Sequence, residues 1–220
     1  MGASGGFPID LVLFGMIAAF LVLRLRSVLG RRQGFERPVD PRAALRPVPA
    51  EGPTIDAVAE RAPSRPIPDP VSPVGQALAR IEAVDRTFQP TRFLDGAEAA
   101  FKLIVDAFAA GTRETLRPLL SDDTYTAFDA AITAREAAGE THRTEVKAIR
   151  AATIDAADLR GTVADISVRF VTDQVNITLD RDGGVVQGTD AITEIVDVWT
   201  FERNLTLADP TWRLVAARSA

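Results

Sequence analysis

The chain has 220 residues, none of them cysteine, and a formal net charge of −5. The missing cysteines exclude a disulfide framework, a thiolate metal site and a cysteine nucleophile together. The charge is split: residues 81–220 hold fifteen Lys or Arg against twenty-three Asp or Glu, an acidic body that argues against nucleic acid as a partner.

In chain order, the first signal is the apolar run Ile9 to Leu23, IDLVLFGMIAAFLVL, followed at once by Arg24, Arg26, Arg31, Arg32 and Arg37. Its ten Leu, Ile, Val or Phe residues favour bilayer insertion by roughly 3 to 6 kcal/mol. Fifteen residues reach only about 22 Å, but the flanks extend the stretch to residues 7–29, long enough for one span of a core about 30 Å thick. A cleaved secretory signal has basic residues before its apolar core, and here they come after it. The arginine bias predicts an uncleaved single-pass anchor in a bacterial inner membrane, N-terminus periplasmic and C-terminal domain cytoplasmic. The same arginines lie within reach of an anionic phospholipid membrane, as headgroup ligands or as topology signals alone.

Residues 30–73 read as a basic juxtamembrane segment followed by an expected disordered linker. Ten of the chain's fourteen prolines fall between Pro38 and Pro73, among Arg, Glu, Ala and Val with no sustained period;. The segment reads as a tether, with a proline-rich recognition site as the other reading.

The third domain, 74–220, opens with helices. Val74 to Phe88 carries Ala77, Leu78, Ile81, Val84 and Phe88 at helical spacing. Asp95 and Glu98 have N-cap and N3 spacing, after which Ala97, Ala100, Phe101, Ile104, Val105 and Phe108 share a face up to Gly111. A short turn with Leu116, Leu119 and Leu120 leads to Ser121, a good N-cap, and a stripe of Tyr125, Phe128, Ala131 and Ile132 ends at Gly139. With the helix and sheet signals all beyond the linker, a chain lacking residues 1–80 is expected to be soluble and to fold by itself.

The period then changes to two. Val146, Ala148, Ala152 and Ile154, and next Ala164, Ile166, Val168 and Phe170, alternate with polar residues. Turn signals at Arg160 and Gly161, Asp182 to Gly184, and Asp209 and Pro210 divide four antiparallel strands, the last two containing Val196 to Phe201 and Trp212 to Ala216. The predicted fold class is α+β, helices packed on one face of a curved four-stranded antiparallel sheet. Alanine at the presumed inward positions Ala148, Ala152, Ala156 and Ala164 leaves room for a pocket, unless bulky Phe101, Phe108 and Phe128 fill it.

The string DVWTFERNLTLADPTWRLVAARS, Asp197 to Ser219, resembles the C-terminal domain of the mitochondrial inner-membrane import translocase subunit forty-four, and more closely its membrane-anchored bacterial relatives. The strings at Phe93 to Gly111, Leu119 to Gly139 and Leu11 to Arg32 agree. The resemblance implies a cone-shaped fold similar to nuclear transport factor two, with an apolar pocket for lipid or peptide. It also implies a non-catalytic binding or scaffold protein of an inner membrane, in protein translocation or membrane-complex assembly. An enzyme and a structural domain with a closed pocket are the alternatives. Candidate pocket residues are Phe101, Phe108, Phe128, Phe170, Trp199, Phe201 and Trp212, with core packing as their other reading. Against an enzyme, the sole His142 reads as a solvated loop residue and Tyr125 falls on an apolar stripe; Asp197 is the one candidate base. Neither metal nor cofactor is expected, and the partner is a protein or an unfolded polypeptide. Glu202 and Arg203 are expected to pair with neighbours such as Arg213 or Asp197.

Overall fold

The computed structural model describes residues 66–220. Ser72 opens α1 (Pro73–Val84), its Oγ accepting from Gly75 N–H at 3.0 Å, and Ala77, Leu78 and Ile81 are buried;. The second helix, α2 (Pro90–Ala110), starts five residues before the expected cap: Pro90, which lacks the N–H a first turn leaves unbonded, holds the first position, and Asp95 lies inside;. Gly111 closes α2 at φ 72°, a left-handed conformation suited to glycine;. After α3 (Arg113–Leu116) comes α4 (Asp122–Ala138), with the predicted caps: Ser121 Oγ accepts from Thr124 N–H, and Gly139 has φ 70°.

Four strands follow in the order β1 (Thr141–Arg160), β2 (Val163–Leu179), β3 (Val185–Asn204) and β4 (Arg213–Ser219), each antiparallel to the next. On β2 the alternation is regular, and Ala164, Ile166, Val168 and Phe170 all point into the core. On β1 it is not, because bulges between Val146 and Ala148, Ile149 and Ala151, and Ile154 and Ala156 each add a residue;. The residues that reach the core are therefore Val146, Ile149, Ala152, Ile154, Ala157 and Leu159, and Ala156, expected inward, is exposed.

The helices lie on one face of the sheet, α1 and α2 against β1 and α4 against β4. The outer edge of β4 is closed by the segment before α4: Ser121 donates to Leu214 O at 3.0 Å, and Leu214 donates to Leu119 O at 2.8 Å;. At the centre of the core the Phe101 ring stands 4.6 Å from Phe170 and 4.5 Å from Trp199.

Two expectations are corrected. Among the described residues no helix is long and apolar enough to cross a membrane; α2 has 21 residues but is interrupted by Arg92, Asp95, Glu98, Lys102 and Asp106. The structure is thus an α+β domain without a spanning helix in its described part, and the single-pass inner-membrane placement finds no support in it. The apolar run at residues 7–29 lies outside the described residues. α1 is part of the core, since Leu78 and Ile81 are 4% and 0% exposed. Removing residues 1–80 is therefore expected to lower stability by about 3 kcal/mol or more, the burial of one Leu and its neighbours. Urea melts of chains starting at residues 66 and 81 measure this, and equal midpoints would show α1 to be dispensable.

Candidate functional site

An open apolar groove of about 250 Å³ runs between the first half of α2 and the loop joining β3 to β4, lined by Phe93, Gly96, Ala97, Ala100, Leu119, Phe201, Pro210, Thr211 and Trp212. No lining residue is charged. The α2 side is set by helical spacing, Phe93, Gly96, Ala97 and Ala100 falling on one stripe. The loop side is set by two local side-chain turns: Asn204 Oδ1 accepts from Thr206 N–H at 3.1 Å, and Asp209 Oδ1 accepts from Thr211 N–H at 2.9 Å;. Hydrogen bonds from Thr211, reinforced by the Arg213 guanidinium, hold the Asp209 carboxyl below its usual range, so that turn stays formed at neutral pH.

One wall is made of three rings, Phe93, Phe201 and Trp212, backed by Phe88. Phe93 meets Trp212 edge-on at 4.9 Å and Phe201 at 6.1 Å, while Phe88 stands 6.1 Å from Phe93 and 6.0 Å from Trp212;. Ala97 and Phe201 are the buried lining residues, and Gly96 lies at the exposed rim, where a β-carbon built on the backbone has no atom within 4 Å beyond its chain neighbours and its own helix backbone.

The seven aromatic candidates divide among three places. Phe201 and Trp212 line the groove. Phe101, Phe170 and Trp199 pack against one another, tilted or edge-on, in the core. Phe108 and Phe128 pack edge to face at 4.9 Å near the start of β1, where the Arg135 guanidinium lies 5.4 Å from the Phe108 ring and donates to Phe108 O and Ala109 O. Arg24, Arg26, Arg31, Arg32 and Arg37 lie outside the described residues.

His142 is not a loop residue. It belongs to β1, Nδ1 2.9 Å from Thr178 Oγ1 and Nε2 2.8 Å from Thr144 Oγ1. It joins a row that continues the inward side of β2 in polar residues, for Thr172, Gln174, Asn176 and Thr178 are all buried. Thr144 donates to Asn176 Oδ1, Asn176 to Gln174 Oε1, Gln174 to Thr172 Oγ1 and Thr172 to Ile195 O. Thr144 spends its single proton on Asn176, so His142 Nε2 is the donor to Thr144 and, in the neutral ring, Nδ1 accepts from Thr178. Buried polar groups are thereby satisfied across β1, β2 and β3, which suits a structural role.

The other two acid-base candidates are also placed structurally. Tyr125 packs against the core with the Arg117 guanidinium 4.8 Å from its ring, and Asp197 accepts from Ser219 Oγ at 2.9 Å on the sheet surface. Glu202 lies 3.8 Å from Arg160, and Arg203 pairs with Asp85 at 2.9 Å rather than with Arg213 or Asp197. Among the described residues no group of His, Asp or Glu is arranged to hold a metal ion.

The family model described as the Tim44-like domain matches residues 74–219. No curated protein matches. Among solved structures, the intermembrane space region of the chloroplast protein ARC6 is similar with a TM-score of 0.46 at 10% identity, covering 60% of this chain and 97% of that one.

Proposed function

We propose, on the premise that this chain belongs to the Tim44-like domain family, that its groove is a docking site for an apolar segment of a partner polypeptide. The domain is a non-catalytic scaffold or binding module of that family. Within the family we assign it to the bacterial type, in protein translocation or the assembly of a membrane-associated complex. That assignment rests on the strings at 93–111, 119–139 and 197–219.

Gly96 is the observation that carries the docking reading. A glycine inside a helix costs about 0.5 to 1 kcal/mol relative to alanine. Here its β-carbon position is open space, φ is not positive, and folding has no use for the missing side chain. We take the open position as room left for an occupant of the groove. The uncharged lining and the ring wall fit an apolar chain segment, as concave sites for such ligands are built.

Gly96→Leu tests the reading, because it fills the groove without crowding the core. Its melting temperature is expected to stay equal to or above that of the parent, since the helix gains propensity. Binding of reduced, carboxymethylated α-lactalbumin, a soluble unfolded polypeptide, is expected to weaken about tenfold by fluorescence anisotropy. Undiminished binding by a folded Gly96→Leu protein would remove the groove from the function.

A further inference from the structure

We infer that the groove selects a helix: a short amphipathic helical segment of the partner, antiparallel to α2, with its apolar side chains set between α2 and the β3–β4 loop. The inference rests on the groove being a polypeptide site and goes beyond it by naming the conformation that the site accepts.

Backbone hydrogen bonding is the first argument. An extended segment that docks by strand addition needs a row of free N–H and C=O groups to pair with. The described lining residues offer no such row. Phe201 is the one strand residue among them, and it lies between the paired strands β2 and β4. Gly96, Ala97 and Ala100 are inside α2, and Phe93 N–H donates to Gln89 O. Leu119 N–H donates to Leu116 O while Leu119 O accepts from Leu214, Thr211 N–H donates to Asp209 Oδ1, and Pro210 has no N–H to give;. A strand laid here would leave its own buried polar backbone unmet, whereas a helix has bonded its backbone internally before it docks.

Shape and area give the second. The apolar line of the groove continues along α2: Phe93, Gly96 and Ala100 lead at helical spacing to Leu103, which is 47% exposed, with Ala99 exposed beside them;. Asp95, Lys102 and Asp106 follow a separate line on the same helix. With only hydrogen or methyl side chains at Gly96, Ala99 and Ala100, a second helix can approach to the near end of the usual range of about 8 to 10 Å between axes. From Phe93 to Leu103 the line runs about 15 Å, or three turns. The groove of about 250 Å³ has room for about two bulky side chains of such a helix, since about 150 Å³ accommodates one benzene ring. A folded partner or a second copy of the chain covers roughly 800 Å² on each side, far more than a strip this long and about one helix, 10 Å, wide. The strip suits a short segment. Charge sets its direction: Arg92 is exposed one turn before Gly96, and a helix antiparallel to α2 brings the partial negative charge of its C-terminal carbonyls to that guanidinium.

Two peptides with the same side chains separate a helical occupant from an extended one, measured on the full-length protein by fluorescence anisotropy. The first is a host of Ala, Gln, Lys and Glu, about fifteen residues long, with leucines at i, i+3 and i+7, held helical by a side-chain lactam. The second differs only in D-residues at two central positions, which break the helix. The all-L peptide is expected to bind about tenfold more tightly, because its ordering cost is met before docking. Leu103→Ser, at an exposed position, should keep the parent's melting temperature and weaken the all-L peptide several-fold while leaving the D-containing one unchanged. Gly96→Leu should weaken the all-L peptide as well, and Arg92→Glu should do so about threefold, less at high salt. Equal affinities for the two peptides, binding of neither, or all-L binding untouched by Leu103→Ser or by Arg92→Glu would overturn the inference. If carboxymethylated α-lactalbumin still loses affinity on Gly96→Leu in any of those cases, the docking function stands and the helical, antiparallel form falls. If α-lactalbumin is indifferent to Gly96→Leu as well, both fall.

Discussion

Phe101→Ala is expected to remove about 3 to 5 kcal/mol of stability, a large share of the roughly 5 to 15 kcal/mol a domain commonly has. Phe101 is 0% exposed, and its ring lies within 4.6 Å of both the Phe170 and Trp199 ring centres. Truncation loses the transfer energy of the ring and leaves a void between two large, rigid neighbours. Those neighbours are held by strands on one side and by α2 on the other, so they have little freedom to collapse into it. The melting temperature should fall by roughly 10 °C or more, and Trp199, now bordering a void, should report it in its emission. Phe101→Leu keeps most of the volume and should cost less than half as much. The result bears on function, because Gly96→Leu and Phe101→Ala change the same helix five residues apart. One should alter binding and spare folding, while the other should damage folding. If Phe101→Ala costs under about 1.5 kcal/mol, the centre of the domain is loosely filled, and the pocket would lie there rather than at the rim.

How far the residues announce this arrangement depends on whether the deciding interaction is local. Ser121, Gly111 and Gly139 work within one helical turn, and they mark helix ends where the structure has them. The turns at Gly161 and Gly183 are equally local, both in left-handed conformation. Pro90 is local too, but Asp95 and Glu98 imitate a cap, and the apolar stripe through Phe93 and Leu94 is what extends α2 backward over them. On β1 the alternation fails because bulges are set by pairing with β2, which no stretch of β1 records by itself. The polar row Thr172, Gln174, Asn176 and Thr178 is legible by parity, since it continues Ala164 to Phe170 two by two; hydropathy alone hides it. The groove is the least legible feature. It joins Phe93 to Ala100 with Leu119, Phe201 and Pro210 to Trp212, and its helix side is opened by small residues. Of its lining, Phe201 and Trp212 stand out as aromatics in a strand pattern, whereas Gly96 reads only as a weak helix residue.

Asp85→Ala is the second large effect, and its pH dependence identifies the cause. Asp85 ends α1 and ties it to the far side of the sheet, accepting from Arg203 Nη1 at 2.9 Å across 118 residues, with side-chain exposures of 11% and 15%. It also accepts from Thr87 Oγ1 at 2.6 Å and Thr87 N–H at 2.9 Å, which turns the chain toward Phe88. The Thr87 hydroxyl first, and then its amide and the Arg203 guanidinium, hold the Asp85 carboxyl below its usual range against the opposing effect of burial. Removing the carboxylate leaves a largely buried guanidinium whose Nε already has no partner. Breaking a buried pair on one side costs about 3 to 5 kcal/mol, and the residual exposure brings the expectation to about 2 to 4 kcal/mol at pH 7. Because the folded-state pKa is depressed, the stabilisation is fully present above the unfolded value of about 4 and is lost as pH falls through the folded one. The gap between parent and Asp85→Ala in urea melts should therefore be wide at pH 7 and narrow below pH 4. Replacing both partners, Asp85→Ala with Arg203→Met, should recover much of the loss, since an apolar side chain of similar length needs no counter-charge. A gap that stays constant from pH 7 to pH 2.5, with no recovery in the double variant, would assign the loss to the backbone turn at Thr87 and leave the ion pair without a part in holding α1 to the sheet.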